Sequence, residues 1–420
     1  MKRLKYLTAI NPPLPRDRVP LPNDMVSFLP MERIGEDGSL DLSEVRPSSE
    51  VSQGYTAILD GDLVIAKITP CFENGKGAVC LGLQGGVGFG TTELIVLRTK
   101  PQSDSRFLYW LTRSHEFRNW GEAEMRGSAG QKRVTEEFVS NFLTIELNNV
   151  EQRRIAAYLD EQTEKIDRLM DMRRRQMALL KEQRSALIQQ AVTRGLNPNV
   201  PMKDSGLPWL GEIPEHWEVK RLKFITPQVS VGIVINPSSY YVASGVPCLR
   251  SLNVKPGELI AAELVFISEK SHLLLKKSAI YQGDVVAVRT GQPGTTAVVD
   301  ERFHNTNCID LIIIRRSSLF ISEYIQLLLN SSFAKSQFDT GSDGAIQQHF
   351  NIQMAENLVI LLPFLREQQE IREYIRNETS KFETLHNFYD RQLTLLTEYR
   401  AALIHECVTG QRLIPEAASL

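Results

Sequence analysis

The stretch EQRRIAAYLDEQTEKIDRL, at Glu151–Leu169, returns later in the chain as EQQEIREYIRNETSKFETL, at Glu367–Leu385. The match continues without a gap, because QMALLKEQRSALIQQAVT at Gln176–Thr193 has the counterpart QLTLLTEYRAALIHECVT at Gln392–Thr409. Self-similarity over a stretch this long is the signature of an internally repeated architecture. We therefore predict that the chain is built twice on one plan.

Both copies of this stretch have the periodicity of a long helix. Apolar residues recur about every 3.5 residues, and neither copy contains an internal glycine or proline, which is typical of a coiled coil. Two similar helices in one chain pair most simply with each other, and we predict that they run antiparallel. On periodicity alone, an oligomerisation stalk is an equally good interpretation. The predicted seam and partner-contacting residues are Ile155, Tyr158, Ile166, Leu169, Leu180, Leu187, Ile371, Tyr374, Phe382, Leu385, Leu395 and Leu403.

Each helix follows a divergent segment in which short motifs recur. KRLKYLT, GDLVIAK and ELIVLR, which begin at Lys2, Gly61 and Glu93, return as KRLKFIT, GDVVAVR and DLIIIR, which begin at Lys220, Gly283 and Asp310. Short β-branched runs between glycine-rich turns predict strands. We predict an α+β fold, with two pseudo-symmetric β-rich domains joined by two long antiparallel coiled-coil helices.

The repeat also predicts the domain boundaries. They are 1–149 for the first domain, 150–194 for the first helical spacer, 195–217 for a connector, 218–365 for the second domain, 366–410 for the second helical spacer and 411–420 for a C-terminal tail. The connector is rich in Pro, Gly and Asn, which excludes a helix. Its apolar residues Trp209, Leu210, Ile213 and Trp217 indicate that it is docked on a surface.

The composition favours a cytoplasmic globular protein. The chain is 42% hydrophobic and 23% charged, and it has no apolar run long enough for a membrane span. Its start, MKRLKYLT, lacks the apolar stretch of a signal peptide. The five cysteines form no CxxC pair or Cys/His cluster, so we expect a reducing compartment and no metal site.

The net charge of −2 bears on any nucleic-acid role. Phosphate neutralisation supplies much of the affinity of DNA-binding proteins, which are therefore usually basic. Either the chain does not bind DNA, or it reads bases while partner subunits supply much of the phosphate contact.

Several motifs together carry a family resemblance. They are LPWLGEIPEHWEVKRLKFI at Leu207–Ile225, RGSAGQKRV at Arg126–Val134, DGAIQQHF at Asp343–Phe350, and the EQ that opens each helix. With them the chain resembles the DNA-specificity subunits of type I restriction–modification systems over nearly its whole length. The first half departs from the pattern, since it has no PWLGEIPEHW segment of its own.

This resemblance implies a division of labour between subunits. Two target-recognition domains would each read a short half-site, and the coiled coil would set the gap between half-sites and dock two adenine-methylating modification subunits. Restriction subunits, which translocate and cut DNA, would join the complex. The chain would then be no enzyme and hold no cofactor or metal, with S-adenosylmethionine, ATP and Mg²⁺ on the partner subunits. Because recognition domains of this family diverge widely, the resemblance transfers no base-contacting residue.

Candidates for base contact are therefore chosen by chemistry. Arg and Lys suit guanine, Asn and Gln suit adenine, and Ser and Thr suit either. In the first domain the candidates are Asn74, Lys76, Thr91, Thr92, Arg126, Ser128, Lys132 and Arg133; in the second they are Arg250, Asn253, Arg289, Gln292, Thr295, Asn305, Asn307, Gln348 and His349. For each, a solvated loop residue is the alternative. Gln131 and Gln347 recur in both halves, which favours a structural role for those two.

Two other functions are the alternatives. NPPL at Asn11–Leu14 resembles the NPPF/NPPY element with which adenine-N6 methyltransferases hold a flipped base, so a stand-alone adenine methyltransferase is one of them. Leucine replaces the stacking aromatic residue, and no glycine-rich strand–turn–helix motif for S-adenosylmethionine accompanies it. The other alternative is a coiled-coil scaffold without a DNA function.

Overall fold

The fold is described from a computed structural model, for residues 1–128, 130–339 and 350–414. By its internal contacts the chain divides into two compact units, Met1–Arg174 with Asp390–Leu420, and Arg175–Tyr389. Each unit contains one β-rich domain and a part of each of two long helices. The predicted α+β class is confirmed.

The first half of the chain forms short strands and helices before its long helix. The strands are β1 (Lys2–Arg3), β2 (Thr8–Ile10), β3 (Met25–Leu29), β4 (Val45–Pro47), β5 (Thr56–Leu59), β6 (Leu63–Ala66), β7 (Gly77–Val79), β8 (Val87–Gly90), β9 (Leu94–Thr99) and β10 (Leu143–Thr144). The helices are α1 (Ser48–Val51), α2 (Ser105–Arg113), α3 (His115–Ala123), α4 (Glu136–Asn141) and the long α5 (Asn149–Arg194).

Two sheets form the body of the first domain. One has the strand order β2-β9-β6-β7, and the other has the order β4-β3-β8-β5, in which β3 and β8 are parallel. The central strand β6 and the first four residues of β9, Leu94–Leu97, are continuous apolar runs, because both of their faces are covered. Strands β1 and β10 pair separately, and so tie the start of the domain to its end.

The second half also has short strands and helices before its long helix, with fifteen strands among its described residues against ten in the first half. Its strands are β11 (Met202–Asp204), β12 (Glu212–Pro214), β13 (Glu218–Arg221), β14 (Val229–Val231), β15 (Tyr241–Val242), β16 (Val246–Leu249), β17 (Val254–Lys255), β18 (Glu258–Leu259), β19 (Val265–Ile267), β20 (Ala279–Ile280), β21 (Val285–Val288), β22 (Thr296–Val298), β23 (Thr306–Cys308), β24 (Leu311–Ile314) and β25 (Val359–Leu362). Its helices are α6 (Glu269–Leu274), α7 (Ser322–Asn330), α8 (Ser332–Asp339), α9 (Ile352–Asn357) and the long α10 (Leu365–Val408).

The two domains have equivalent sheet topology. The order β14-β24-β21-β22 corresponds to β2-β9-β6-β7, and β13 pairs with β25 as β1 pairs with β10. In the five-stranded sheet, β15-β19-β16-β23-β20, strands β16 and β23 are parallel, as β3 and β8 are. Strands β11 and β12, and strands β17 and β18, form two further pairs. The repeat seen in the sequence is therefore a repeat of fold.

A buried glutamine joins each long helix to its domain. The Gln152 side chain, 1% exposed, accepts the backbone N–H of Asp104 at 2.9 Å and donates to the carbonyls of Gln102 and Leu147. Gln368 is fully buried and repeats the arrangement, since it accepts the N–H of Ile321 at 2.8 Å. Buried polar groups must be hydrogen-bonded. This requirement explains why the glutamine of the EQ motif recurs at the start of both helices.

A buried ion pair explains two other repeated motifs. The Asp62 carboxylate of GDLVIAK accepts two hydrogen bonds from the Arg98 guanidinium of ELIVLR, at 2.8 and 2.9 Å. In the second domain Asp284 pairs with Arg315 at 2.5 Å. Both aspartates are 2% exposed, so each repeated arginine neutralises a carboxylate inside its domain.

The connector is docked, as its apolar residues predicted. Ile213 and Trp217 are fully buried in the core of the second unit. The indole Nε1 of Trp217 donates to Oε2 of Glu367 at 3.1 Å, and His216 Nε2 lies 2.7 Å from the same oxygen. His216 and Trp217 of the connector therefore fix the first turn of α10.

Helices α5 and α10 share a core in each unit. In the first unit, Ile155 near the start of α5 lies in one hydrophobic cluster with Val408 at the end of α10. Further along α5, Asp167 accepts the Arg400 guanidinium at 2.9 Å, so the two helices run antiparallel there. In the second unit, Val192 near the end of α5 shares a cluster with Ile371 near the start of α10.

The predicted seam residues differ in exposure. Ile155, Ile166, Ile371 and Leu403 are buried; Tyr158, Leu180, Leu187 and Phe382 are half-buried; Leu169, Tyr374, Leu385 and Leu395 are exposed. The described residues therefore leave part of the apolar stripe uncovered. Periodicity identifies an apolar stripe but not what covers it, so the sequence alone could not separate the residues that pair the two helices from those left for a partner.

Candidate DNA interface

In the first domain, several of the predicted base-contacting residues lie where two parallel strands end. The backbone N–H of Thr91, just after β8, donates to the carbonyl of Leu29, the last residue of β3, at 3.3 Å. The Lys76 ammonium reaches the same place and donates to the carbonyl of Met31 at 3.2 Å. We call this place the first edge, formed by Lys67, Lys76, Thr91, Thr92, Glu93 and Arg133.

The RGSAGQKRV segment docks on the first edge. The N–H of Val134 donates to the carbonyl of Lys67 at 2.8 Å. The Arg133 guanidinium donates to both carboxylate oxygens of Glu93, with an Nη2–Oε1 distance of 2.7 Å. These hydrogen bonds from Arg133 hold the pKa of the Glu93 carboxyl below its usual value. The ion pair positions Arg133, whose side chain is 41% exposed and accessible from solvent.

The other predicted base-contacting residues of this domain differ in exposure and in hydrogen bonding. Thr92, Arg126, Ser128 and Lys132 are exposed. The Thr91 hydroxyl is buried and has no hydrogen-bond partner among the described residues. Asn74 is exposed, but its amide donates to Glu36 at 2.8 Å.

The second domain has an equivalent edge at the ends of β16 and β23. The N–H of Ile309, just after β23, donates to the carbonyl of Leu249, the last residue of β16, at 2.8 Å. Arg250 follows directly and donates through Nη2 to the carbonyl of Glu263 at 2.6 Å. Its Nε is buried and lacks a partner among the described residues. We call this place the second edge, formed by Arg250, Arg289, Thr290, Gln292 and Asp310.

An acidic residue positions a basic one at the second edge too. The Arg289 guanidinium donates to Asp310 at 2.8 Å, and the Thr290 hydroxyl donates to the other oxygen of that carboxylate at 3.1 Å. The N–H of Phe350 donates to the carbonyl of Arg289 at 3.1 Å, as Val134 does to Lys67. On the turn that follows β21, Gln292 is exposed and Thr295 is half-buried.

Four residues of these edges were not predicted. Lys67 occupies the same position of its repeated motif as Arg289, and Glu93 and Asp310 open the motifs ELIVLR and DLIIIR. The repeat itself was a signal that could have identified them. Thr290 carried no such signal, because the repeat stops at Arg289.

Some of the predicted residues do not lie on either edge. Asn253 is fully buried; its Oδ1 accepts the N–H of Arg250, and its Nδ2 donates to two backbone carbonyls. Asn307 is also fully buried and lies 3.3 Å from Nδ1 of His272. Burial excludes both from contact with a ligand in solution, so their predicted role was wrong.

Asn305 is exposed, but it precedes β23 and lies at the other end of that strand from Ile309. Gln348 and His349 lie outside the described residues.

The buried role of Asn253 leads to a prediction about stability. We expect Asn253→Ala to lower the free energy of unfolding by about 1–3 kcal/mol, because it leaves a buried N–H and buried carbonyls without partners. Gln282→Ala is the control and should change it by about 0.5 kcal/mol or less, since that amide side chain is exposed in the same domain. Urea denaturation of the two variants measures the difference. Equal stability of both would contradict the structural role of Asn253.

Neither a metal-binding cluster nor a membrane-spanning helix is found among the residues that the structure describes. No group of three or more His, Cys, Asp or Glu side chains is arranged to hold a metal ion. None of the helices there is both long enough and apolar enough to span a membrane.

Solved structures share the fold over almost the whole chain. One comes from work on complex assembly and conformational transition of the type I R-M system; it covers 98% of this chain and 97% of its own, with a TM-score of 0.77 and 17% identity. Another is the HsdS subunit from Thermoanaerobacter tengcongensis, which covers 98% and 96%, with a TM-score of 0.60 and 18% identity. No protein-family model matches the chain.

Curated relatives connect this fold to a family by sequence. The EcoEI specificity subunit of a type I restriction enzyme from Escherichia coli is 41% identical over 155 residues, and the EcoAI specificity subunit from the same organism is 47% identical over 121 residues. The chain is thus similar in sequence to type I restriction specificity subunits. The MjaVIII specificity subunit of Methanocaldococcus jannaschii, 24% identical over 242 residues, is a more distant relative.

The matches cover only a part of each specificity subunit. They span 36% and 28% of this chain, and 25% and 20% of the two E. coli relatives. The MjaVIII match spans 54% of this chain and 53% of that relative. The activity and partners of a whole specificity subunit are therefore proposals for this chain.

The asparagine of NPPL has a structural role in the first domain. Oδ1 of Asn11 accepts the N–H of Val96 at 2.8 Å, and the Asn11 N–H donates to the carbonyl of the same residue. Nδ2 of Asn11 donates to Glu136 at 2.7 Å. Asn11 thus ends the pairing of β2 with β9. With its amide occupied in this way, the methyltransferase alternative is not favoured.

Proposed function

We propose that this chain is the non-catalytic specificity subunit of a type I restriction–modification complex and reads a two-part DNA target, one part with each domain. It directs adenine-N6 methylation and DNA cleavage that partner subunits perform. The similarity to type I restriction specificity subunits and the shared fold support this proposal, and the two equivalent edges carry it at the level of residues.

The edges combine a common frame with different side chains. In both, the carboxyl ends of two parallel strands meet, and an acidic residue positions an arginine: Glu93 with Arg133, and Asp310 with Arg289. The hydrogen-bonding groups around that pair differ, since the first edge offers threonines and a lysine where the second offers Arg250 and Gln292. Arginine, threonine and glutamine are side chains that read base edges. A shared backbone arrangement that carries different base-contacting side chains suits a target whose two parts differ in sequence.

The long helices offer surfaces for the two modification subunits. Exposed apolar residues on them include Leu169, Met172, Leu385, Phe388 and Leu395. In the second unit, Met177 and Leu180 of α5 line a groove of about 650 Å³ with Phe382 of α10. Exposed apolar residues along a helix suit a partner helix that packs against them.

Partner subunits would also supply what this chain lacks. With a net charge of −2, it depends on partners for much of the phosphate contact. S-adenosylmethionine, ATP and Mg²⁺ belong to the modification and restriction subunits in this proposal. All five cysteines are free thiols, which suits a complex that works in the cytoplasm.

Sequence-resolved mapping of adenine methylation tests the proposal. We expect cells that carry this chain with its modification subunit to contain one methylated motif of two short parts with a fixed gap. Cells that carry the modification subunit alone are the control and should lack the motif. A modification subunit that is active with another specificity chain, but gives no split motif with this one, would leave only the scaffold function.

A further inference from the structure

A loop of the second domain is locked against the second edge. It follows β14 and begins with Gly232, whose N–H donates to the carbonyl of Leu311 at 2.8 Å. A Cβ at Gly232 would lie 2.5 Å from the carbonyl oxygen of Cys308, so only glycine permits this close approach. Next, the Ile233 N–H donates to that Cys308 carbonyl at 2.8 Å, and its own carbonyl accepts the Asp310 N–H at 3.1 Å.

The residues that follow form an exposed aliphatic tip. Val234 is 43% exposed and Ile235 is 79% exposed. The chain then turns at Asn236, which has a left-handed φ of 42° and is followed by Pro237. The Asn236 carbonyl accepts both the N–H and the hydroxyl of Ser239, so both sides of the tip are fixed.

The tip lies beside the groups that we propose to read DNA. Asp310, which is bonded to the backbone of Ile233, also holds the Arg289 guanidinium and the Thr290 hydroxyl. An isoleucine that is held rigidly in water beside these polar groups gains nothing for the fold. It suits a partner surface that has an apolar group next to hydrogen-bonding ones.

At the corresponding exit from its sheet, residues 11–14, the first domain has no exposed aliphatic tip, because Leu14 is half-buried. There the chain leaves its sheet at Asn11, whose side chain caps Val96, and turns into Pro12 and Pro13. In the second domain, the backbone stays bonded to the neighbouring strands through Ile233 and carries the next two residues to the edge. The tip therefore occurs at this position in one domain only. This is expected of a residue that contacts bases, because residues that maintain the shared fold recur in both domains.

We propose that Ile235 is a specificity-determining residue of the second domain and contacts the C5 methyl group of a thymine in the second half-site. This inference rests on the proposed function. In the major groove, thymine differs from the other bases by that methyl group, which apolar side chains recognise. The same base pair offers hydrogen-bonding atoms within reach of the neighbouring arginine and threonine.

The test uses the complex of this chain with its modification subunit and the mapped target. Each thymine of the second half-site is replaced in turn by deoxyuridine, which lacks only the methyl group. We expect one replacement to weaken binding by wild type about fourfold, the effect of one buried methyl group. Ile235→Ala should bind the thymine target more weakly and be insensitive to that replacement. Leu274→Ala is the matched control, because Leu274 is 76% exposed on α6 of the same domain; it should behave as wild type.

The outcomes separate this inference from the proposed function. If no split motif is found, the proposed function fails. If the motif is found but no thymine position distinguishes wild type from Ile235→Ala, the inference alone is overturned. The same holds if Ile235→Ala weakens binding equally to the thymine and deoxyuridine targets, which would indicate a wedge between bases.

Discussion

Arg315→Met will lower the free energy of unfolding of the second domain by about 3–5 kcal/mol, the cost of leaving a buried charge without its partner. The Asp284 carboxylate is 2% exposed and accepts the Arg315 guanidinium at 2.5 Å. It also accepts the backbone N–H of Tyr281, so it cannot turn outward without losing a second bond. Hydrogen exchange of the amides in β21 and β24 measures the loss.

The neighbouring arginine is the control for this prediction. Arg316 is exposed, and Arg316→Met should change the stability by about 0.5 kcal/mol or less. The double variant with Asp284→Asn should lose less than Arg315→Met alone, because it removes the unpaired charge. If Arg315→Met is as stable as Arg316→Met, the ion pair does not hold the domain together. Arg98→Met should repeat the effect in the first domain, where Asp62 is the partner.

A second large loss is expected for Trp217→Ala, which should destabilise the second unit by about 3–5 kcal/mol. Trp217 is fully buried, and its indole donates to Glu367 in the first turn of α10. Trp217→Phe keeps most of the packing and loses the hydrogen bond, so about 1–2 kcal/mol is expected. Thermal unfolding followed by circular dichroism measures both variants.

The other connector tryptophan provides the comparison. Trp209 is 47% exposed and contacts Phe333 with a ring-centroid distance of 5.2 Å. Trp209→Ala should cost about 1 kcal/mol, the contribution of an exposed aromatic pair. If both tryptophan variants lose the same stability, the connector is not anchored through Trp217.

The sequence predicted the shared fold of the two halves well, because the residues that maintain this fold recur in both halves. EQ at the start of each helix, GD before a central strand and the arginine at the end of ELIVLR and DLIIIR recur for one physical reason. Each places a polar side chain inside a domain, where it must find its partner: Gln152 and Gln368 bind backbone groups, and Asp62 binds Arg98. Such residues cannot vary independently, and so they remain visible as a repeat.

The candidate site was predicted less well because the amino-acid type does not determine burial. Asn253 and Asn305 carry the same amide in one domain, yet one bonds three backbone groups in the interior and the other is exposed. Ile235 was not predicted at all, since a run of aliphatic residues normally indicates a strand. Only the bonds of Gly232 and Ile233 to the sheet show that the run ends in an exposed tip.

The central claim is that each domain reads one part of the target, and exchange of one domain tests it most directly. Residues 218–365 would be replaced by the second domain of another specificity subunit, and the methylated adenine motif would be mapped for both chains with the same modification subunit. We predict that one part of the motif changes, while the other part stays the same. A motif that changes in both parts, or in neither, would contradict the claim.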